Sequence, residues 1–151
     1  MTERLVRIED YIYNNGIELI DYNFKSDKIK AMCSDNIIAL SSKVKDTKEK
    51  ICILVEELAH IKINVGNISN NPKEELKARG LAYKGLIGLE GIISSYNYGC
   101  TNKYEMADFL EVTESFLEEA IHYYKSKYGV SVTYRDYEIK FIPSLSVRKV
   151  S

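Results

Sequence analysis

The strongest constraint on the fold is the helical pattern in "DTKEKICILVEELAHIKIN", residues 46–64. Ile51, Leu54, Val55, Leu58 and Ile61 recur three and four residues apart, the spacing of one largely buried helix face. Asp46 or Thr47 suits the N-cap, and Glu49 suits a first turn, where the helix dipole favours negative charge. Such a face needs a partner layer, and three short apolar runs precede it. "IELIDYNF" (17–24), "IKAMCSD" (29–35) and "NIIALSSK" (36–43) read as strands, the last two joined by a tight turn at Asp35-Asn36. They predict a small antiparallel sheet under the helix. Leu5, Ile8, Tyr11 and Ile12 predict a further helix over 3–14, stopped at Asn14-Asn15-Gly16.

Downstream, "VGNISNNP" (65–72) has loop composition, and Pro72 suits the first turn of a helix over 72–85. A second helix over 86–99 ends at Gly99. "TNKYEMADFL" and "TESFLEEAIHYYKSKYG" are helices on either side of residues 111–113, with Thr113 as N-cap. "SVTYRDYEIKFI" (131–142) predicts a hairpin turning at Arg135-Asp136, ended by Pro143, with the last eight residues as a tail. The expected class is α+β, organised as a core (1–98), a helical subdomain packed on it (99–130) and a β-hairpin with tail (131–151).

Charge and cysteine content exclude several functions. With 21 basic and 22 acidic residues the net charge is −1, which gives no basic field for nucleic acid or an anionic membrane. Cys33, Cys52 and Cys100 are odd in number and lack C-x-x-C spacing, so neither a disulfide framework nor a cysteine zinc site is expected. The first residues are charged, and nowhere do about 18 apolar residues run together. A reducing cytoplasm, with no membrane partner, is the expectation.

One stretch carries chemistry. Glu56-Glu57-Leu58-Ala59-His60 has the outline of the metallopeptidase helix H-E-x-x-H, with glutamate in place of the first histidine. Residues four apart share a helix face, so Glu56 and His60 can coordinate one ion while Glu57 lies beside them. A third ligand is expected from the following helix, where Glu75 is the candidate. The chain holds only two histidines, His60 and His122, so a three-histidine site is excluded. The plainer alternative is an amphipathic helix with Glu56 and Glu57 on its wet face and His60 at the core edge.

"EKICILVEELAHIKINVGNI", followed by "NPKEELKARGLAYKGLIGLEGI", resembles the ImmA/IrrE-type metallopeptidases, especially the short forms carried by phages and integrative elements. In those the active helix commonly reads "AEELGH", and a later helix carries a glutamate followed by A-x-x-x-A. Here that is Glu75 with Ala78 and Ala82. With "YEMADFLEVTESFLEEAIHYYKSKYG" included, the resemblance spans roughly residues 3–129. It implies a zincin-like core: a small antiparallel sheet, an active-site helix, partner helices and a helical C-terminal section. It also implies His60 and Glu75 as metal ligands, Glu57 as general base, and Glu56 at the position of the first histidine.

Two departures stand out. Two carboxylates and one imidazole offset the charge of a divalent ion, which weakens its Lewis acidity and its preference for zinc over manganese or iron. Asn67 stands where related chains often have aspartate. The implied function is a zinc-dependent endopeptidase acting on a regulatory protein such as a phage or mobile-element repressor of helix-turn-helix type. The alternatives are a metal-free relative that binds a protein partner without cutting it, and a DNA-binding regulator.

Residues 104–121 have helix-turn-helix spacing, with Ala107 at the packed position and Val112 in the turn. Glu114, Glu118 and Glu119 occupy the second helix, where phosphate contact calls for basic or amide residues, so no nucleic-acid partner is expected. His122 reads as structural, near a helix C-terminus. Tyr83, Tyr96 and Tyr98 include candidates for an oxyanion donor, with packing as the plainer role. Cys52, one turn before Glu56, is expected to be buried.

Overall fold

The computed structural model describes residues 2–63 and 72–150. The expected loop over 65–71, and Asn67 within it, lie outside the described residues. The architecture is α+β, and the chain divides into two compact units, Met1–Ala82 and Tyr83–Ser151.

The first unit begins with α1 (Glu3–Asn14), whose start is fixed by Thr2 Oγ1 accepting from the Leu5 N–H at 3.2 Å. Leu5 and Ile12 bury its inner face. Strands β1 (Glu18–Tyr22), β2 (Ala31–Ser34) and β3 (Ile37–Ser41) form one sheet in the order β1-β3-β2. β2 and β3 are antiparallel, closed by the expected turn at Asp35-Asn36, with Asp35 left-handed at φ 45°. β1, however, runs parallel to β3. The sheet is therefore mixed, where the sequence predicts an antiparallel one. The reason lies in β3, whose Ile38 and Leu40 are 0% and 3% exposed. The most apolar strand takes the centre, so the link from β1 carries the chain across the sheet and leaves a gap that β3 fills.

Helix α2 (Thr47–Ile63) then packs on this sheet and on α1. Its cap is Asp46, whose Oδ2 accepts from the Glu49 N–H at 2.9 Å. Ile51, Cys52, Leu54 and Ala59 are buried, whereas Val55, Leu58 and Ile61 are half-buried. The buried stripe is thus turned toward Cys52 and Ala59 from the expected face. α3 (Pro72–Leu86) starts at the proline, as its spacing predicts, and buries Ala78 and Ala82.

In the second unit α4 (Gly88–Tyr98), α5 (Lys103–Leu110) and α6 (Glu114–Tyr128) precede strands β4 (Ser131–Tyr134), β5 (Tyr137–Lys140) and β6 (Ser146–Lys149). Gly88, at φ 64°, separates α3 from α4. Gly91 lets α4 and α5 approach closely: a Cβ there would meet Leu110 Cδ2 at 3.2 Å. Thr113 caps α6, its Oγ1 accepting from the Phe116 N–H at 3.1 Å. Tyr83 packs against Phe116 and Tyr123, and Tyr128 stacks on Phe141. The hairpin turns at Arg135-Asp136 as expected.

The last residues are not a tail. β6 pairs antiparallel with β5, setting Val147 opposite the fully buried Ile139 and Arg148 Nε 2.7 Å from Glu138 Oε1. β5 otherwise presents an unpaired edge, and backbone pairing satisfies it whatever the polarity of the added strand. "SVRK" carries no apolar run, so nothing local announces the pairing. No helix among the described residues is long and apolar enough to cross a membrane.

Candidate active site

The four residues singled out by the sequence lie on α2 and α3, in the first unit. α2 carries Glu56, Glu57 and His60, all half-buried, and α3 carries Glu75 in its first turn. The structure brings His60 and Glu75 together, with His60 Nε2 3.5 Å from Glu75 Oε2. His60 is the more enclosed of the two, its side chain 21% exposed against 46% for Glu75. Glu75 Oε1 also faces Arg79 Nε at 3.4 Å, one turn along α3. The carboxylate is thus shared between an imidazole and a guanidinium.

This spacing bears on metal binding. Two tetrahedral ligands, each about 2.0–2.1 Å from one ion, lie roughly 3.3 Å apart. The His60–Glu75 pair therefore fits a shared divalent ion with little movement. Glu56 stands one turn before His60 but does not complete a trio. Among the described residues no group of three His, Cys, Asp or Glu side chains converges on a metal-sized site. Residues 64–71, "NVGNISNN", contain none of these four types.

Burial first, and then the nearby carboxylate of Glu57, push the thiol of Cys33, on β2, up to about 12. It stays protonated at neutral pH. The sequence places Cys33 on a strand but gives no sign of this proximity. Period-two alternation puts Ala31 and Cys33 on one face, yet not the helix residue that face meets. Glu74 was also not singled out. It shares a helix face with Ala78 and Ala82, and its Oε2 is buried without a hydrogen-bond partner among the described residues.

Other sequence candidates fall outside this constellation. Cys52 is buried, as expected, and Tyr83 belongs to the aromatic cluster of the second unit. Tyr96 and Tyr98 are exposed, and so is His122 on α6. Ala107 and Val112 are 2% and 0% exposed, so the α5–α6 corner is packed at its helix-turn-helix positions. Glu114, Glu118 and Glu119 face solvent.

Comparison with curated proteins and with solved structures found no match. A family model, the IrrE N-terminal-like domain of the M78 peptidases, matches residues 14–122. The matched span runs from the end of α1 into α6 and includes α2 and α3, with Glu57, His60 and Glu75 inside it. The chain therefore belongs to the IrrE N-terminal-like M78 peptidase family.

Proposed function

We propose that this protein is a metal-dependent endopeptidase that cuts a regulatory protein. The observation that carries the proposal is the 3.5 Å approach of His60 Nε2 to Glu75 Oε2, beside Glu57 on the same helix. His60 and Glu75 would hold the ion, with Glu56 the nearest further donor on α2. An ion there supplies Lewis acidity toward a peptide carbonyl; zinc fits the imidazole, while manganese or iron suits the two carboxylates. Glu57 takes the proton of the attacking water as it adds to the carbonyl. It then returns that proton to the departing amine. Arg79 keeps Glu75 turned toward His60 by holding its second oxygen.

Family membership supports peptide hydrolysis as the chemistry. A helix-turn-helix repressor of a phage or mobile element is the substrate class we favour. The three free cysteines suit a reducing cytoplasm. The exposed carboxylates on α6 argue against DNA as a partner.

A second reading is favoured by one specific observation. Among the described residues three donor side chains do not converge, and a glutamate fills the first ligand position. A relative that binds its repressor without cutting it would carry such a site. Metal-supplemented protein should cleave fluorescein-labelled casein, and Glu57→Gln should abolish the cleavage. Wild-type protein that holds a repressor intact under the same conditions would establish the second reading.

A further inference from the structure

We propose that Arg79 is a further catalytic residue of this site, its guanidinium donating to the carbonyl oxygen of the scissile peptide as water adds. The proposal rests on the peptidase reading above. It starts from helix geometry. Arg79 follows Glu75 by four residues on α3, so the two share a face, and long helical side chains lean back over the preceding turn. Arg79 Nε accordingly comes 3.4 Å from Glu75 Oε1, while Glu75 Oε2 turns to His60 Nε2 at 3.5 Å. Side-chain exposure rises along this chain of contacts, from 21% at His60 through 46% at Glu75 to 55% at Arg79. The guanidinium is thus the group of the three most open to an arriving peptide.

An exposed pair four residues apart on a helix adds little to stability, so folding makes small demand on Arg79. Among the described residues its guanidinium has no partner other than Glu75, which leaves terminal N–H donors for a ligand. Among the same residues it is also the only side chain, beyond the pair itself, in polar contact with His60 or Glu75. Attack of water moves the C=O π pair onto the carbonyl oxygen, which becomes negative, while Glu57 takes the water's proton. When that pair returns, the C–N bond breaks and the amine leaves with the proton. Arg79 stays protonated throughout, so it acts as a fixed positive donor to that oxygen and transfers no proton. Charge balance points the same way. Glu56, Glu57 and Glu75 outweigh a divalent ion by one charge, and a nascent oxyanion adds to the excess that the guanidinium offsets.

The test compares Arg79→Ala and Arg79→Lys with wild type, using fluorescein-labelled casein with added zinc or manganese. Arg79→Ala should lower kcat about a hundredfold with KM changed by no more than about twofold. Arg79→Lys, which keeps the charge without the planar fork, should lose about tenfold. Tens of millimolar guanidinium should raise the alanine variant's kcat at least about tenfold, whereas urea, neutral and of the same shape, should not. A second readout needs no cleavage: the rise in Tm on adding metal. In Arg79→Ala it should stay within about twofold of wild type, because an exposed pair orients Glu75 without anchoring it. Unchanged kcat, a loss carried by KM, a loss that guanidinium does not restore, or an abolished Tm rise each overturns the proposal. Failure of that kind leaves wild-type cleavage intact. Wild type that shows no Glu57-dependent cleavage overturns the peptidase reading, and this role with it.

Discussion

Removing Glu75 tests whether the His60–Glu75 pair is a metal site. The two donor atoms stand 3.5 Å apart, within a few tenths of an ångström of the roughly 3.3 Å that one tetrahedral ion imposes. Glu75→Ala leaves His60 as the single donor of the pair. Suppose the wild-type dissociation constant is on the order of 10 µM. At a hundredfold higher metal concentration, about 1 mM, binding stabilises the folded protein by about 2.7 kcal/mol. For a chain of 151 residues, at roughly 2–4 °C per kcal/mol, that is a rise in Tm of about 8 °C. The assay is calorimetry of chelator-treated protein with and without zinc or manganese. His60→Ala and Glu75→Ala are each expected to reduce the rise to less than about 2 °C, whereas Glu57→Gln, which removes no ligand, should keep it. Glu56→His should enlarge the rise for zinc by restoring a neutral nitrogen donor one turn before His60. An undiminished rise in Glu75→Ala would show that metal binds elsewhere. No rise in wild type would remove the metal role of the pair and leave the non-cleaving partner reading.

Three further outcomes follow from the second unit. Tyr124 is 4% exposed; its hydroxyl approaches the Gly88 backbone but makes no well-formed hydrogen bond with a described residue. Burial, with the neighbouring Tyr123 and Tyr128, raises its pKa from 10.0 to about 12. The folded state thus keeps the phenol proton where the unfolded chain has lost it. The resulting stability is complete below pH 10 and lost between pH 10 and 12, by about 2 kcal/mol in urea titrations. Tyr124→Phe should flatten that decline and gain about 1 kcal/mol at neutral pH by removing an unsatisfied hydroxyl. Glu111 ends α5 with φ 57° and ψ 43°, a left-handed conformation that suits glycine. Glu111→Gly should therefore raise stability by about 0.5 kcal/mol, the relieved strain exceeding the entropy added to the unfolded chain. Thr113→Ala removes the cap of α6 and should cost about 1 kcal/mol in the same titration.

The local elements follow from short-range patterns in the chain. Each rests on signals inside one segment: Asp46 and Thr113 as caps, Pro72 opening α3, Gly99 closing α4, and the two-residue turns at Asp35-Asn36 and Arg135-Asp136. The order Glu57, His60, Glu75 on consecutive helices was legible for the same reason, since helical spacing fixes which residues share a face. How the segments meet is set by long-range packing. It set β1 parallel to β3 because the strand with the deepest burial took the centre of the sheet. It added "SVRK" to β5 through backbone hydrogen bonds, which leave no trace in side-chain pattern. It also brought Cys33 near enough to Glu57 for the carboxylate to raise the thiol's pKa. A strand residue's face follows from alternation, but its partner on a packed helix depends on the offset and rotation of two elements, which no local spacing records.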